Sequence, residues 1–417
     1  MKNIKLGDYI ETLTDYHSGG SYKTLKENTK ILYKPDYAVM IRTLNFERND
    51  FNNDLIYCDK QSYDFLNYSH VNENDILMNK IANPGSVYIM PHTNYKCTCG
   101  MNLFLIRFKN INQRYMYYVM KNSEEYIKSK AHGTTTKTIT KDEVRNLEFK
   151  IHDTIEEQNK IERFLTNIDN KIENNNKINN NLEEQIQLIY NYWFMQYNFL
   201  NDNNMPYALS GGKMEWNNTI KRNIPEGWQV KKLLDIASWE SNSQPPKSQF
   251  IYEKREGYVR FIQNRDYDSN SYITYIPYKK SLKAVSKLDI LIDKYGDAGK
   301  VRYGIEGVFN VALAKIKPIE NKFLEYIRSY LNSNEIYNYL HNSCMASTRA
   351  SLSEENLKSL NIVIPNEEIL NEFQDKITTM RKLILSNQEE INKLTELKEF
   401  LLPMLMDGQI NVDDIEI

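Results

Sequence analysis

Side chains able to bond nucleic-acid bases and phosphates occur in two sets, far apart along the chain. The first holds Arg42 and Asn45, Lys80, and Thr134, Thr135 and Lys137. The second holds Arg260, Gln263 and Asn264, Lys294 and Lys300, and Ser347, Thr348 and Arg349. Arg and Lys offer donors to guanine, and Asn and Gln offer a donor and an acceptor to adenine. Hydroxyls beside a basic residue suit phosphate oxygens. Any one of these residues is as readily a solvated surface group; the weight lies in the set.

Strings for covalent chemistry are missing. No N-P-P-[FY] or D-P-P-Y turn occurs, the device with which adenine methyltransferases hold a flipped base. "GDAGKV" at 296–301 lacks the G-x-x-x-x-G-K-[ST] spacing and the hydroxyl that meets Mg²⁺, so it reads as a tight turn between strands. "CTC" at 97–99 has no second pair and no His cluster beside it, so a zinc site is not expected. His17, His70, His92, His132, His152 and His341 are scattered, and no spacing of Asp, Glu and Lys marks a nuclease site. The chain reads as non-catalytic, with no metal or cofactor of its own.

The two sets sit in matching surroundings. "GTTTKTITKDEVRNLEFKI" at 133–151 and "ASTRASLSEENLKSLNIVI" at 346–364 align at a constant spacing of 213 residues, Ile139 on Leu352, Val144 on Leu357, Leu147 on Leu360 and Ile151 on Ile364. "DILMNKIANPGSV" at 75–87 matches "DILIDKYGDAGKV" at 289–301, "IRTLN" at 41–45 sits where "VRFIQN" begins at 259, and "IKLGDYI" near the start resembles "VKKLLDIA" at 230–237. Four strings in one order indicate a duplicated domain whose copies differ in loop lengths. Short β-branched and aromatic runs such as "NLFLIRF" and "GVFNVALAKI" give each copy an α+β reading.

Each copy is followed by a heptad seam. Ile161, Leu165, Ile168, Ile172, Leu182, Ile186, Ile189 and Trp193 recur in steps of four and three, with Asn175 and Asn179 filling the ladder. The second seam runs Phe373, Ile377, Met380, Ile384, Asn387, Ile391, Leu394, Lys398, Leu401 and Leu405. Two such seams predict two long helices packed as an antiparallel coiled coil, with the two domains related by a pseudo-two-fold axis. A lone amphipathic helix on each domain is the plainer alternative. If the seams align end to end, Ile161 faces Leu405 and Asn179 meets Asn387, a polar pair that fixes register at some cost in stability. Pro403 is expected to end or bend the second helix about one turn before Leu405. The Asn-rich tract 174–181 keeps the heptad phase and reads as weak but continuous helix. The division expected is a first domain over 1–152, a helix over 153–199, an Asn-, Gly- and Pro-rich linker over 200–223, a second domain over 224–365, and a second helix with its tail over 366–417. A seam from 161 to 193 makes a rod about 50 Å long. Similar readers on such a spacer suit two half-sites about one DNA turn apart, ~34–36 Å.

Composition sets the class. A chain of 417 residues with 41% hydrophobic and 26% charged residues fits a globular protein of two or more domains. The net charge of −2 excludes a uniformly basic coat without excluding local basic surfaces. No apolar run approaches a membrane span, and four cysteines suggest a reducing, cytoplasmic setting.

With these features in place, the chain resembles the DNA-specificity subunits of Type I restriction-modification systems over nearly its whole length. "EEQNKIERFLTNIDNKI" at 156–172 and "NYWFMQYNF" at 191–199 resemble the family's central conserved helix region. "IPEGWQVKKLLDIA" at 224–237 resembles the opening of a second target-recognition domain, and "LKEFLLPMLMDGQI" at 397–410 the usual C-terminus. "IKLGDYI" lacks the P-x-G-W lead, which leaves the opening of the first domain without its family mark. The resemblance implies recognition of a bipartite double-stranded target, one domain to each half. It also implies assembly with two methyltransferase subunits and two restriction subunits, and S-adenosylmethionine, ATP and Mg²⁺ belong to those partners. Two other readings stay open: a specificity subunit whose partner fuses methylation and cleavage, and a coiled-coil adaptor with no nucleic-acid role.

Overall fold

The structure, a computed structural model, describes residues 1–268, 272–345 and 351–415. It comprises two compact units, Met1–Glu173 with Ile391–Ile417, and Asn174–Glu390. The division falls inside both long helices rather than at their ends, because each helix segment completes the core of the unit it lies in.

In the first unit, Lys2–Lys5 pairs antiparallel with Glu148–Ile151. A four-stranded antiparallel sheet follows, in the order Ile10–Asp15, Leu103–Phe108, Ile76–Asn79, Val87–Ile89. A second sheet runs Tyr57–Cys58, Ala38–Ile41, Cys97–Cys99, His70–Val71, with its central pair parallel. Side chains alternate across a strand, and the first sheet uses both faces. Ile76, Met78, Phe104 and Ile106 point into a core shared with the helix Gln113–Asn122. Leu77, Leu103 and Leu105 join the opposite core with Val39 and Ile41 of the second sheet. Cys97 and Cys99 are buried in that second sheet, where burial pushes both thiols up.

The second unit repeats the plan. Gln229–Lys232 pairs with Asn361–Ile364, and a sheet runs Ala237–Glu240, Leu313–Pro318, Ile290–Asp293, Val301–Arg302. Its companion runs Tyr275–Pro277, Tyr258–Ile262, Gly307–Phe309, Ala284–Val285, again with the central pair parallel. Ile290, Ile292, Ala314 and Ile316 face the helical side, whereas Leu291 and Leu313 face Ile262 and Phe309. The α+β architecture and its duplication are thus present in both cores.

The long helices span Ile155–Tyr190 and Glu367–Met406. Thr154 and Glu157 exchange the bonds of a capping box at the start of the first, and Glu156 and Glu157 favour its positive end. This helix passes unbroken through the Asn-rich tract and ends in a π turn, Asn191–Met195. In the first unit Ile161, Leu165, Ile168 and Ile172 share a core with Leu394, Leu401 and Leu405. In the second, Leu182, Ile186 and Ile189 share one with Phe373, Ile377, Met380 and Ile384. Ile391 is also buried. The expected asparagine pair is present, Asn387 Nδ2 donating to Asn179 Oδ1 at 2.9 Å, and Asn175 Nδ2 donates to Glu390 at 2.7 Å. An acid, a base and a tyrosine join the helix segments in each unit: Asp169, Lys398 and Tyr118 in one, Glu183, Arg381 and Tyr303 in the other.

Of the two outcomes expected at Pro403 the ending does not occur, and the linker expectation is corrected. Pro403 does not end the helix, which continues to Met406, because only one backbone bond is lost and Asp407 N still donates to Pro403 O at 2.9 Å. Residues 200–223 are not a plain linker. Phe199 stacks on Tyr207 at 4.7 Å and on Trp228 at 5.0 Å, and Met214–Asn217 pairs with Arg222–Pro225 in a hairpin. The aromatic residues outweigh the turn-forming composition there.

The asparagine pair generates a test. Asn387→Leu leaves Asn179 Oδ1 without its donor and should cost about 1–3 kcal/mol. The double variant Asn179→Leu/Asn387→Leu should recover or exceed the original stability, read by urea unfolding of the three proteins.

Candidate nucleic-acid interface

The repeated strings build one device twice. In the first unit the strand Ile76–Asn79 turns at Gly85 (φ 91°), where Gly85 N donates to Asn79 O at 2.8 Å and Asn79 N to Ser86 O at 2.9 Å. In the second, Gly299 (φ 96°) donates to Asp293 O at 2.9 Å and Asp293 N to Lys300 O at 2.9 Å. "GDAGKV" is therefore a hairpin turn. A returning segment hooks onto the residue after each strand: Ile139 N donates to Lys80 O at 3.1 Å, and Leu352 N to Lys294 O at 2.8 Å. Both aliphatic side chains are buried. Each hook leads into a short capped helix. Thr140 N donates to Glu143 Oε2 at 2.7 Å, and Ser353 N to Asn356 Oδ1 at 2.9 Å. Val144 and Leu147, and Leu357 and Leu360, then enter the cores.

The hook holds an exposed loop. Thr134, Thr135 and Lys137 are solvent-facing, and the loop is closed by the bridges His132↔Thr138 and Ile81↔Thr138. Gly133 sits at φ 122°, and a Cβ there would meet Thr136 O at 2.4 Å. The expected counterparts Ser347, Thr348 and Arg349 lie outside the described residues.

Lys80 is corrected from a surface contact to an internal one. It is 7% exposed and ion-paired with Asp15, which also accepts from Lys141 Nζ at 2.8 Å and Ser18 Oγ at 2.7 Å. Burial alone would raise the Asp15 carboxyl, but the bonds from Lys141, Lys80 and Ser18 outweigh it and hold the group down at about 2. His17 Nδ1 lies 3.1 Å from Lys80 Nζ, and burial and that ammonium keep the imidazole below its ordinary value.

The second copy lacks this acid. Phe104 faces Met78 on one side and Asp15 on the other; its counterpart Ala314 faces Ile292. Glu240 pairs with Lys315, so the place of Asp15 falls to Ser241, whose hydroxyl accepts from Trp239 Nε1 at 3.0 Å. Lys294 is half-buried with no ion pair among the described residues, and burial lowers its affinity for the proton. Lys300 is exposed and lies 3.5 Å from Asp297 of its own turn.

Asn45 is also corrected. It is buried, accepts from Arg42 N at 2.9 Å and donates to Asp50 O at 3.1 Å, which leaves it a capping residue. Asp266 does the same work in the second copy, accepting from Gln263 N at 3.1 Å. The cap makes Gln263 the counterpart of Arg42, three residues from where the string match put it. Arg260 instead lies inside the strand Tyr258–Ile262, half-buried, 4.0 Å from Asp266. Gln263 Nε2 donates to Thr274 Oγ1 at 2.9 Å, and Asn264 beside it is half-buried. Asp15, His17 and Lys141 were missed because their convergence spans the whole sheet and leaves no local signature.

The family model for the Type I restriction modification DNA specificity domain matches residues 2–184 and again residues 225–398. The chain belongs to that family. Among curated specificity subunits, the Type I restriction enzyme MjaIX subunit of Methanocaldococcus jannaschii is 25% identical over 316 residues, covering 72% of this chain and 70% of that protein. The HindI subunit of Haemophilus influenzae is 23% identical over 403 residues, covering 82% and 87%. The crystal structure of the Type I restriction-modification S subunit from M. genitalium has the same fold, with a TM-score of 0.61 at 14% identity over 97% of this chain and 95% of that one. This is a specificity subunit with two recognition domains, from a family of DNA recognition rather than catalysis. No described helix is long and apolar enough to cross a membrane.

The Asp15 cluster gives a pH dependence. A carboxyl held below its unfolded value stabilises the fold above pH ~4, and that contribution, roughly 2–3 kcal/mol, should vanish as pH falls from about 4 to about 2. Thermal melts across this range should show the loss, and Asp15→Asn should be less stable at neutral pH and lack it.

Proposed function

We propose that the chain reads a bipartite duplex DNA target, one recognition domain per half-site, as the specificity subunit of a Type I restriction-modification complex. The observation that carries this reading is one site built twice, with the same hairpin, hook and cap but different side chains around them. A duplicated scaffold with unlike contact residues is what a split and non-palindromic target requires. The surviving contact set is Arg42, Thr134, Thr135 and Lys137 in one domain, and Gln263, Asn264, Lys294 and Lys300 in the other. Ser347, Thr348 and Arg349 are carried with the second set on sequence grounds.

In the same reading the two long helices form an antiparallel coiled coil, and the two domains share a pseudo-two-fold axis. Support comes from the opposed order of the pairs Asn175–Glu390, Asn179–Asn387 and Glu183–Arg381. The subunit works in the cytoplasm with two methyltransferase and two restriction subunits. S-adenosylmethionine, ATP and Mg²⁺ serve those partners, and this chain contributes neither a cofactor site nor a reacting group.

Co-expression with the methyltransferase subunit and mapping of methylated adenines should return a split motif. Exchange of residues 1–152 for those of a relative should alter one half of the motif only; change in both halves, or in neither, would refute the assignment. Binding should weaken steeply between 50 and 200 mM salt, by about 10³-fold or more for six phosphate contacts.

A further inference from the structure

Arg42 and Gln263 occupy one position of the repeated domain. Gly100 N donates to Ile41 O at 2.8 Å and Asn310 N to Ile262 O at 3.0 Å, which aligns the residue before each. Each then closes the central strand of the parallel pair and opens a short helix, Thr43–Glu47 or Asn264–Tyr267. In the caps Arg42 and Gln263 use their backbone: each N–H donates to the side chain three residues on, and each carbonyl accepts from Asn45 N or Asp266 N, at 3.0 and 2.9 Å.

The side chains are only partly engaged by the protein. Arg42 lines a cavity of about 450 Å³ with Tyr33, Thr43, Glu47, Met101 and Asn102. One of its Nη2 hydrogens goes to Asp54 O, while its Nε is buried with no acceptor. Nη1 and the second Nη2 hydrogen remain as an end-on fork. Gln263 spends one amide hydrogen on Thr274 and keeps its Oε1 and the other hydrogen. Tyr33, 83% exposed, stands at the cavity beside Arg42.

We propose that this shared position selects one base in each half-site: Arg42 takes a guanine through O6 and N7, and Gln263 takes an adenine through N6 and N7, from the major groove. These are the pairings that the two side-chain shapes permit. The inference rests on the DNA-reading function above. It adds that the halves of the target differ at corresponding places because this one position differs, and that Asn45, Asp266 and Arg260 have no part in base choice.

The test is selection from a randomised duplex library by the complex of this chain with its methyltransferase subunit. The original protein should enrich a split motif. Arg42→Gln should turn one guanine preference to adenine in one half only, by about tenfold or more, and Gln263→Arg should do the reverse in the other half. Arg42→Lys, which keeps the charge and loses the fork, should weaken the guanine preference by a similar factor. Thermal melts establish that each variant folds, and the two substitutions in different units keep the test decisive if one does not. A split motif with every preference unchanged to within about twofold in the folded variants, or changed in both halves, overturns the inference and leaves the function standing. Guanine preference undiminished in Arg42→Lys also overturns it, since the guanidinium fork would then not be what reads the base. No motif from the original protein overturns the function and the inference together.

Discussion

Neither core is complete without segments of the two long helices. In each unit a sheet presents one apolar face to the second sheet and the other to helices, and a short helix of eight or ten residues is too small to cover it. Leu165, Phe373 and Ile377 fill the remainder, all fully buried. Complete burial of such a side chain contributes about 1.5–3 kcal/mol, so a few of them rival the net stability of a whole domain. The position of everything mounted on the sheets, including the hooks and the residues at positions 42 and 263, follows from that packing.

The hook shows how a fold can be kept while the side chains around it change. Its bonds are between backbone groups, Ile139 to Lys80 and Leu352 to Lys294, and they do not depend on which side chains surround them. The lysine can therefore be saturated by a carboxylate in one copy and left half-buried without one in the other. Likewise the cap behind position 42 uses an amide in one copy and a carboxylate behind position 263 in the other, with the same geometry. Divergence collects where the backbone asks nothing of the side chain.

Features with a local period could be read directly from the residues. The heptad seams gave the helices and the Asn179–Asn387 pair, and "ANPGSV" and "GDAGKV" gave two hairpins. What escaped was set by distance in the chain. Asp15 meets Lys80 and Lys141 from the far side of a sheet, and nothing in "IETLTDYHS" announces it. The match of "IRTLN" to "VRFIQN" paired the arginines and missed that the second strand ends three residues later, so Arg260 is strand interior and Gln263 the true counterpart. Residues 200–223 looked like a spacer because Asn and Gly dominate, while Phe199, Tyr207 and Trp228 decide their packing.

The chain order of these cores bears on birth at the ribosome. Asn174–Glu390 is one uninterrupted stretch, whereas the unit begun by Met1–Glu173 also draws on Ile391–Ile417. At about 5–20 residues per second, the earlier-made portion waits roughly 10–40 s for the segment that seals it. The second domain to be synthesised is thus the first able to finish folding, and the nascent first domain needs shelter for its open apolar face until the last helix arrives.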